Sequence, residues 1–157
     1  MSDCECCGAA NEEERIARIE ALRERQHEML LKRGWYAHII ESGDPSTPSG
    51  FNYHTHGFEK TADHLDFQIV FPLIIPETCH AIAEELYKEI TQHGKRYEEG
   101  DRAKGIIHGF EVTFIKVREC DRDVLRVILP NAEGCLTVGE LSESENPAYS
   151  LQWTTTI

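Results

Sequence analysis

The chain has 157 residues, 40% of them hydrophobic, and a formal charge of -12. That length suits one domain around one core, and no stretch approaches the ~18 consecutive apolar residues of a membrane helix, while the acidic N-terminus lacks the apolar segment of a secretory signal; a cytoplasmic, soluble protein is expected. The acidic balance argues against nucleic acid as a partner, because such binding neutralises phosphates with clustered Lys and Arg, and fits a solvated surface that favours solubility.

Residues 1–10, MSDCECCGAA, have no periodicity and read as a Cys-rich flexible tail ahead of a single domain over 11–157. Six cysteines, three of them at Cys4, Cys6 and Cys7 and the rest scattered at Cys79, Cys120 and Cys135, read as reduced thiols in a chain of this size. Asn11 followed by Glu14 has the form of a capping box, and Glu12 and Glu13 place further negative charge at the positive end of a helix dipole. Ile16, Ile19, Leu22, Met29 and Leu30 then mark one face of a long helix that Gly34 stops. Arg23 and Gln26 interrupt this stripe, so the helix is weakly amphipathic and suited either to the domain or to a second protomer.

Residues 35–41 read as a strand, and a Pro/Gly/Ser loop over 42–50 leads back into a second strand with which the first pairs. In that second strand, 51–58, alternation puts His54 and His56 on one face with Asn52 and Phe58, with Tyr53 and Thr55 opposite. Residues 67–71 form an apolar strand covered on both faces. Pro76 opens a central helix whose Cys79, Ile82, Ala83, Leu86, Tyr87 and Ile90 follow the spacing of a buried face, and Gly94 ends it. A hairpin turning at His108-Gly109, a strand over 124–129, and a last strand over 149–153 complete the expectation, with irregular acidic chain between the last two. The fold class is α+β: a mostly antiparallel twisted sheet flanked by a long N-terminal helix and a central helix.

Several short motifs recur in an order that resembles a known bacterial family. They are Gly34-Trp35, then Thr55-His56-Gly57-Phe58, then the strand and helix over 67–93, then LRVILPNAEG over 125–134, and finally Gln152. The chain is similar in these to the family known as domain of unknown function 4262, from about Cys4 to Gln152. It departs from that pattern at His54, where many members have Tyr, and at Asn131, where Asp is common. The family carries no established activity, so the resemblance implies a fold and no mechanism.

The chemistry is concentrated in the His-x-His pair. Imidazole nitrogens bind zinc and other divalent transition metals, and alternation on a strand aims His54 and His56 at one point. His54-Thr55-His56 with Glu59 resembles the first half of a cupin motif without its later elements, and Asp63-His64 adds a likeness to the metallo-beta-lactamase cluster with the acid too far along. Glu59, Asp63 or His64 are the candidate further ligands of an open site that keeps one position for water, and the tail cysteines are a further source of thiolates. Set against this is the plainer reading of histidines hydrogen-bonded in a polar pocket. The expected metal ligands are His54, His56, His64 and Glu59; the candidate small-ligand residues are Tyr53, Thr55, Asn131 and Gln152. Cys79 lies on the apolar helix face, which marks it as structural rather than nucleophilic. Two function classes follow: a metal- or small-ligand-binding domain, with zinc the representative ion, and a non-catalytic acidic interaction or regulatory module, with self-association through the N-terminal helix as one form of partnership.

Overall fold

The computed structural model describes residues 12–41, 50–71, 73–143 and 146–154. The Cys-rich stretch 1–10, the cap expected at Asn11 and nearly all of the 42–50 loop lie outside them. Helix α1 spans Glu12–Arg33, with Glu12, Glu13 and Glu14 in its first turn and Lys32 and Arg33 in its last, each matched to the dipole. Gly34 ends it at φ 89°, its N–H donating to Leu30 O at 3.0 Å. A side chain at Gly34 would run into the Tyr87 hydroxyl, so both the left-handed backbone and the space require glycine.

Strand β1 (Tyr36–Glu41) pairs antiparallel with β2 (Phe51–His56), and His38 sits opposite His54. The chain then enters a short helix, α2 (Phe58–Ala62). Gly57 makes the turn at φ 111°, and a Cβ there would lie 2.6 Å from both Gly34 O and Leu30 Cδ2. The two glycine-containing motifs therefore press against each other in space. Phe58, expected beside the histidines, is carried away by this turn and is fully buried in the core against Trp35, ring centroids 6.0 Å apart.

Strand β3 (Phe67–Ile69) is shorter than expected, although Val70 and Phe71 remain buried. Helix α3 (Pro76–His93) buries Cys79, Ile82, Ala83, Leu86 and Ile90, as its spacing predicts. The β4 (Arg102–Ile107) and β5 (Phe110–Glu119) hairpin follows, and β5 turns back into β6 (Arg122–Ile128). Strand order is β1-β2-β3-β6-β5-β4, antiparallel throughout except where β3 runs parallel to β6.

The C-terminal region differs most from the sequence reading. Where irregular chain was expected, α4 (Val138–Ser142) forms behind a capping box: Thr137 Oγ1 accepts from Glu140 N, and Glu140 Oε1 from Thr137 N. Where a strand was expected, α5 (Ala148–Leu151) forms instead, started by Asn146 Oδ1 accepting from Ala148 N.

The sheet has two different faces. One carries Tyr53, Phe67, Ile69, Leu125, Val127 and Phe114 into a core beneath α3. On the other, Ile115, Val117, Val124 and Ile128 pack with Leu136 and Leu141 at the β5-β6 side. Across β1, β2 and β3 that same face is polar, and there the histidines lie.

A candidate metal centre on the polar face

Register brings three imidazoles together. His38 projects from β1 to the face that carries His54 and His56, because it is the cross-strand partner of His54. Ring centroids stand 5.4 Å apart for His38 and His54, 4.9 Å for His38 and His56, and 5.1 Å for His54 and His56. One nitrogen from each ring lies within 4.8 Å of the other two, so this group can hold a metal ion. Nitrogens sharing a tetrahedral zinc sit roughly 3.4 Å apart at bond lengths of about 2.0–2.1 Å. The separations of up to 4.8 Å exceed that, so binding would draw the rings together.

Each ring has a distinct setting. His54 is buried, and its Nδ1 faces Asn52 Oδ1 at 3.0 Å and the carboxylate Oε1 of Glu119 at 3.3 Å. A nitrogen that faces two oxygen acceptors carries a ring proton, so Nε2 is the atom that a neutral His54 offers to a metal. Gln26 Nε2 donates to His38 Nε2 at 2.9 Å, which ties α1 to the cluster and occupies that lone pair, so a metal bound at this nitrogen displaces the amide. His56 stacks on Tyr36, centroids 5.1 Å apart, and its Nε2 is buried with no hydrogen-bond partner among the described residues. Burial is the main reason its pKa falls to about 3, with the charge of Arg122 and the neighbouring imidazoles pushing the same way. His56 is therefore neutral near pH 7, and its orphaned nitrogen is the state a metal ligand requires.

A second layer of polar groups underlies the rings. Glu119, 4% exposed, accepts from Arg122 Nε at 3.1 Å and Nη2 at 2.8 Å on Oε2. Arg122 also donates from Nη2 to Thr55 O at 2.7 Å, and its Nη1 meets Asp66 Oδ2 at 3.2 Å. Gln68 joins Glu119 to Arg126, whose Nη1 reaches the backbone oxygens of Gln152 and Thr154. Burial lowers the Arg126 pKa to about 10, which still leaves it a cation.

Of the ligands expected from sequence, His54 and His56 meet and His64 and Glu59 do not join them. His64 Nδ1 donates to Leu65 O at 2.9 Å, and its Nε2 accepts from Tyr97 N at 3.0 Å, so both ring nitrogens are used to close a loop. Its ring stacks on Phe67, which belongs to the α3 face. Glu59 is exposed in the first turn of α2, a helix where the sequence predicts a loop. The small-ligand candidates likewise serve the fold. Tyr53 Oη pairs with His80 Nδ1 at 2.8 Å beneath α3. Thr55 Oγ1 donates to Asp66 Oδ1 and accepts from Phe67 N. Gln152 brackets Leu129, donating to its carbonyl and accepting from its N–H. Asn131 Oδ1 accepts from Glu133 N and Cys135 N to close a turn, far along the chain from the histidines. Cys79 is fully buried and its thiol is pushed up to about 12 by burial, as befits a structural cysteine.

His38 escaped the sequence reading, yet a signal for it was present. A hairpin centred on residue 46, the midpoint of the 42–50 loop, sets residues 38 and 54 opposite each other, each eight positions away. Glu119 had no such signal.

No family model matches the chain, no curated protein matches its sequence, and no solved structure matches it.

Proposed function

We propose that this protein binds one divalent transition metal ion through His38, His54 and His56. The observation that carries the reading is the convergence of three imidazoles, one with a buried, neutral nitrogen that has no protein partner among the described residues. Leaving such a nitrogen unsatisfied costs about 1–3 kcal/mol, and a bound metal removes that cost. Three neutral nitrogen donors suit zinc, cobalt, nickel or copper and disfavour magnesium or calcium, which prefer oxygen ligands; zinc is the ion we favour. A tetrahedral ion on three histidines keeps a fourth position for water or a substrate oxygen, the arrangement of hydrolytic zinc sites. The order of the glycine motifs supports kinship with the domain of unknown function 4262 family, which adds no chemistry of its own. Elemental analysis of protein purified without an affinity tag, beside a variant with His38 and His56 both replaced by Ala, tests the reading. Stoichiometric metal in the wild type and none in the variant supports it; no metal in either after incubation with excess zinc refutes it.

A second reading rests on α1. It has no buried residue, and Ile16, Met29 and Leu31 are 45%, 42% and 75% exposed. Antiparallel pairing with a second copy would set the Glu12–Glu14 end of one helix against Lys32 and Arg33 of the other. Sedimentation analysis of the wild type and of Ile16→Glu tests it: a dimer lost in the variant supports this reading, and a monomeric wild type ends it.

A further inference from the structure

We infer that Glu119 is the positioning carboxylate of the metal centre: beside Asn52 Oδ1, which lies 3.0 Å from the same nitrogen, it holds the Nδ1 side of His54, and it sets a carboxylate behind the ligands of a bound dication. This rests on the metal reading above and assigns Glu119 a part in it.

The geometry supports the role from both sides of the carboxylate. Oε1 lies 3.3 Å from His54 Nδ1 and accepts from Gln68 Nε2 at 3.4 Å, while Oε2 is held by two nitrogens of Arg122. Arg122 is itself anchored to Asp66 and to Thr55 O, and Gln68 is anchored to Arg126. The carboxylate is thus fixed in place before any metal arrives. Metal-binding histidines characteristically donate their second ring N–H to a carboxylate, backbone oxygen or water, which makes the ligating nitrogen more basic and stops the ring from turning. A buried ion pair alone is weak evidence for a contribution to stability, because desolvation offsets much of the attraction. A carboxylate only 4% exposed and turned toward an imidazole of a three-histidine cluster has a reason to be there in the chemistry of that cluster. Ligation by three neutral imidazoles leaves a dication's full charge in a partly buried site; the carboxylates of Glu119 and Asp66 outweigh the single Arg122 cation between them and offset part of that charge without occupying a coordination position.

The test uses the full-length, tag-free chain and Co2+, whose visible absorption reports coordination geometry. In Glu119→Gln, affinity for Co2+ should fall by roughly 10–100-fold, the usual cost of losing such an outer partner, and the absorption bands should shift. Glu119→Gln that binds Co2+ as tightly as the wild type, with the same spectrum, overturns the inference and leaves the metal reading standing; a purely structural role would give that result with only a lowered thermal midpoint. Wild-type protein that takes up no Co2+ removes the metal reading and the inference together. If Glu119→Gln does not fold, 15N NMR of metal-free Asn52→Ala, in which Glu119 alone faces His54 Nδ1, decides: His54 in the Nδ1–H form supports the inference, and His54 in the Nε2–H form overturns it.

Discussion

His38 and His54 face each other across the β1-β2 ladder with their rings nearly perpendicular, at 87°, and their centroids 5.4 Å apart. An edge-on approach of this kind lets two imidazoles direct nitrogens toward a shared point, with His56 completing the triangle. On the proposed reading, His38→Ala should lower metal affinity by at least roughly 10–100-fold, since loss of a ligand costs no less than loss of an outer partner. Competition titration against a chelator measures this; affinity unchanged in the variant would remove His38 from the centre.

Leu86 is fully buried in the α3 face of the core. Leu86→Ala should destabilise the protein by about 2–5 kcal/mol, the range for truncating a buried leucine. Chemical denaturation reports the change, and a midpoint equal to the wild type would contradict the packing of α3 on the sheet.

Gly57 holds a left-handed backbone, and any Cβ would meet Gly34 O and Leu30 Cδ2 at 2.6 Å. Gly57→Ala should therefore cost at least about 1–3 kcal/mol from backbone strain alone, and it should loosen α1, which the turn presses upon. Hydrogen exchange at the C-terminal end of α1 should accelerate in the variant. Gly94 also has positive φ, 66°, but nothing lies within 4 Å of its Cβ position. Gly94→Ala should consequently be the milder change of the two.

His64 offers a pH test away from the three-histidine cluster. Burial lowers its pKa, opposed by its bond to Leu65 O and reinforced by Arg96, so the folded state binds the proton less readily than the unfolded chain does. With a depressed folded pKa, the contribution of His64 to stability is full and independent of pH well above pH 6.5, and it is lost progressively as pH falls from that value through the folded pKa. Protonation would also remove the lone pair that accepts from Tyr97 N. His64→Gln keeps an acceptor and removes the titration, so its loss of stability between pH 7.5 and 5.5 should be smaller than that of the wild type. Equal losses in the two proteins would show that His64 protonates as easily folded as unfolded.

What could be read from sequence follows a physical division between local and distant interactions. The α3 helix and its buried face were legible because 3.6-residue periodicity is a property of neighbours along the chain, and Cys79, Ile82, Leu86 and Ile90 obey it. The His54-His56 face was legible because strand alternation is likewise local. His38 lay one inference further, recoverable from the centre of the hairpin. The capping box at Thr137 and Glu140 is local too, and it marks a helix in a region whose acidic composition reads as irregular. Asn146 similarly starts α5 where apolar and aromatic residues suggest a strand.

Glu119 and Arg122 belong to the other category. Glu119 reaches His54, and Arg122 reaches Asp66 and Thr55 O, only because β6 inserts beside β3 in parallel, Phe67 against Leu125, and β5 follows in the strand order. That choice is made by burying one face of the sheet beneath α3 and part of the other beneath the C-terminal segment. No residue spacing encodes it, since the energy comes from contacts between segments that are remote along the chain. His64 shows the same limit in reverse: its sequence neighbours suggest a ligand, while the tertiary fold commits both its nitrogens to the backbone of Leu65 and Tyr97. The sequence by itself determined α1, α3, most of the strands and the shared face of two histidines; only packing decided which third histidine joined them, and which carboxylate stands behind.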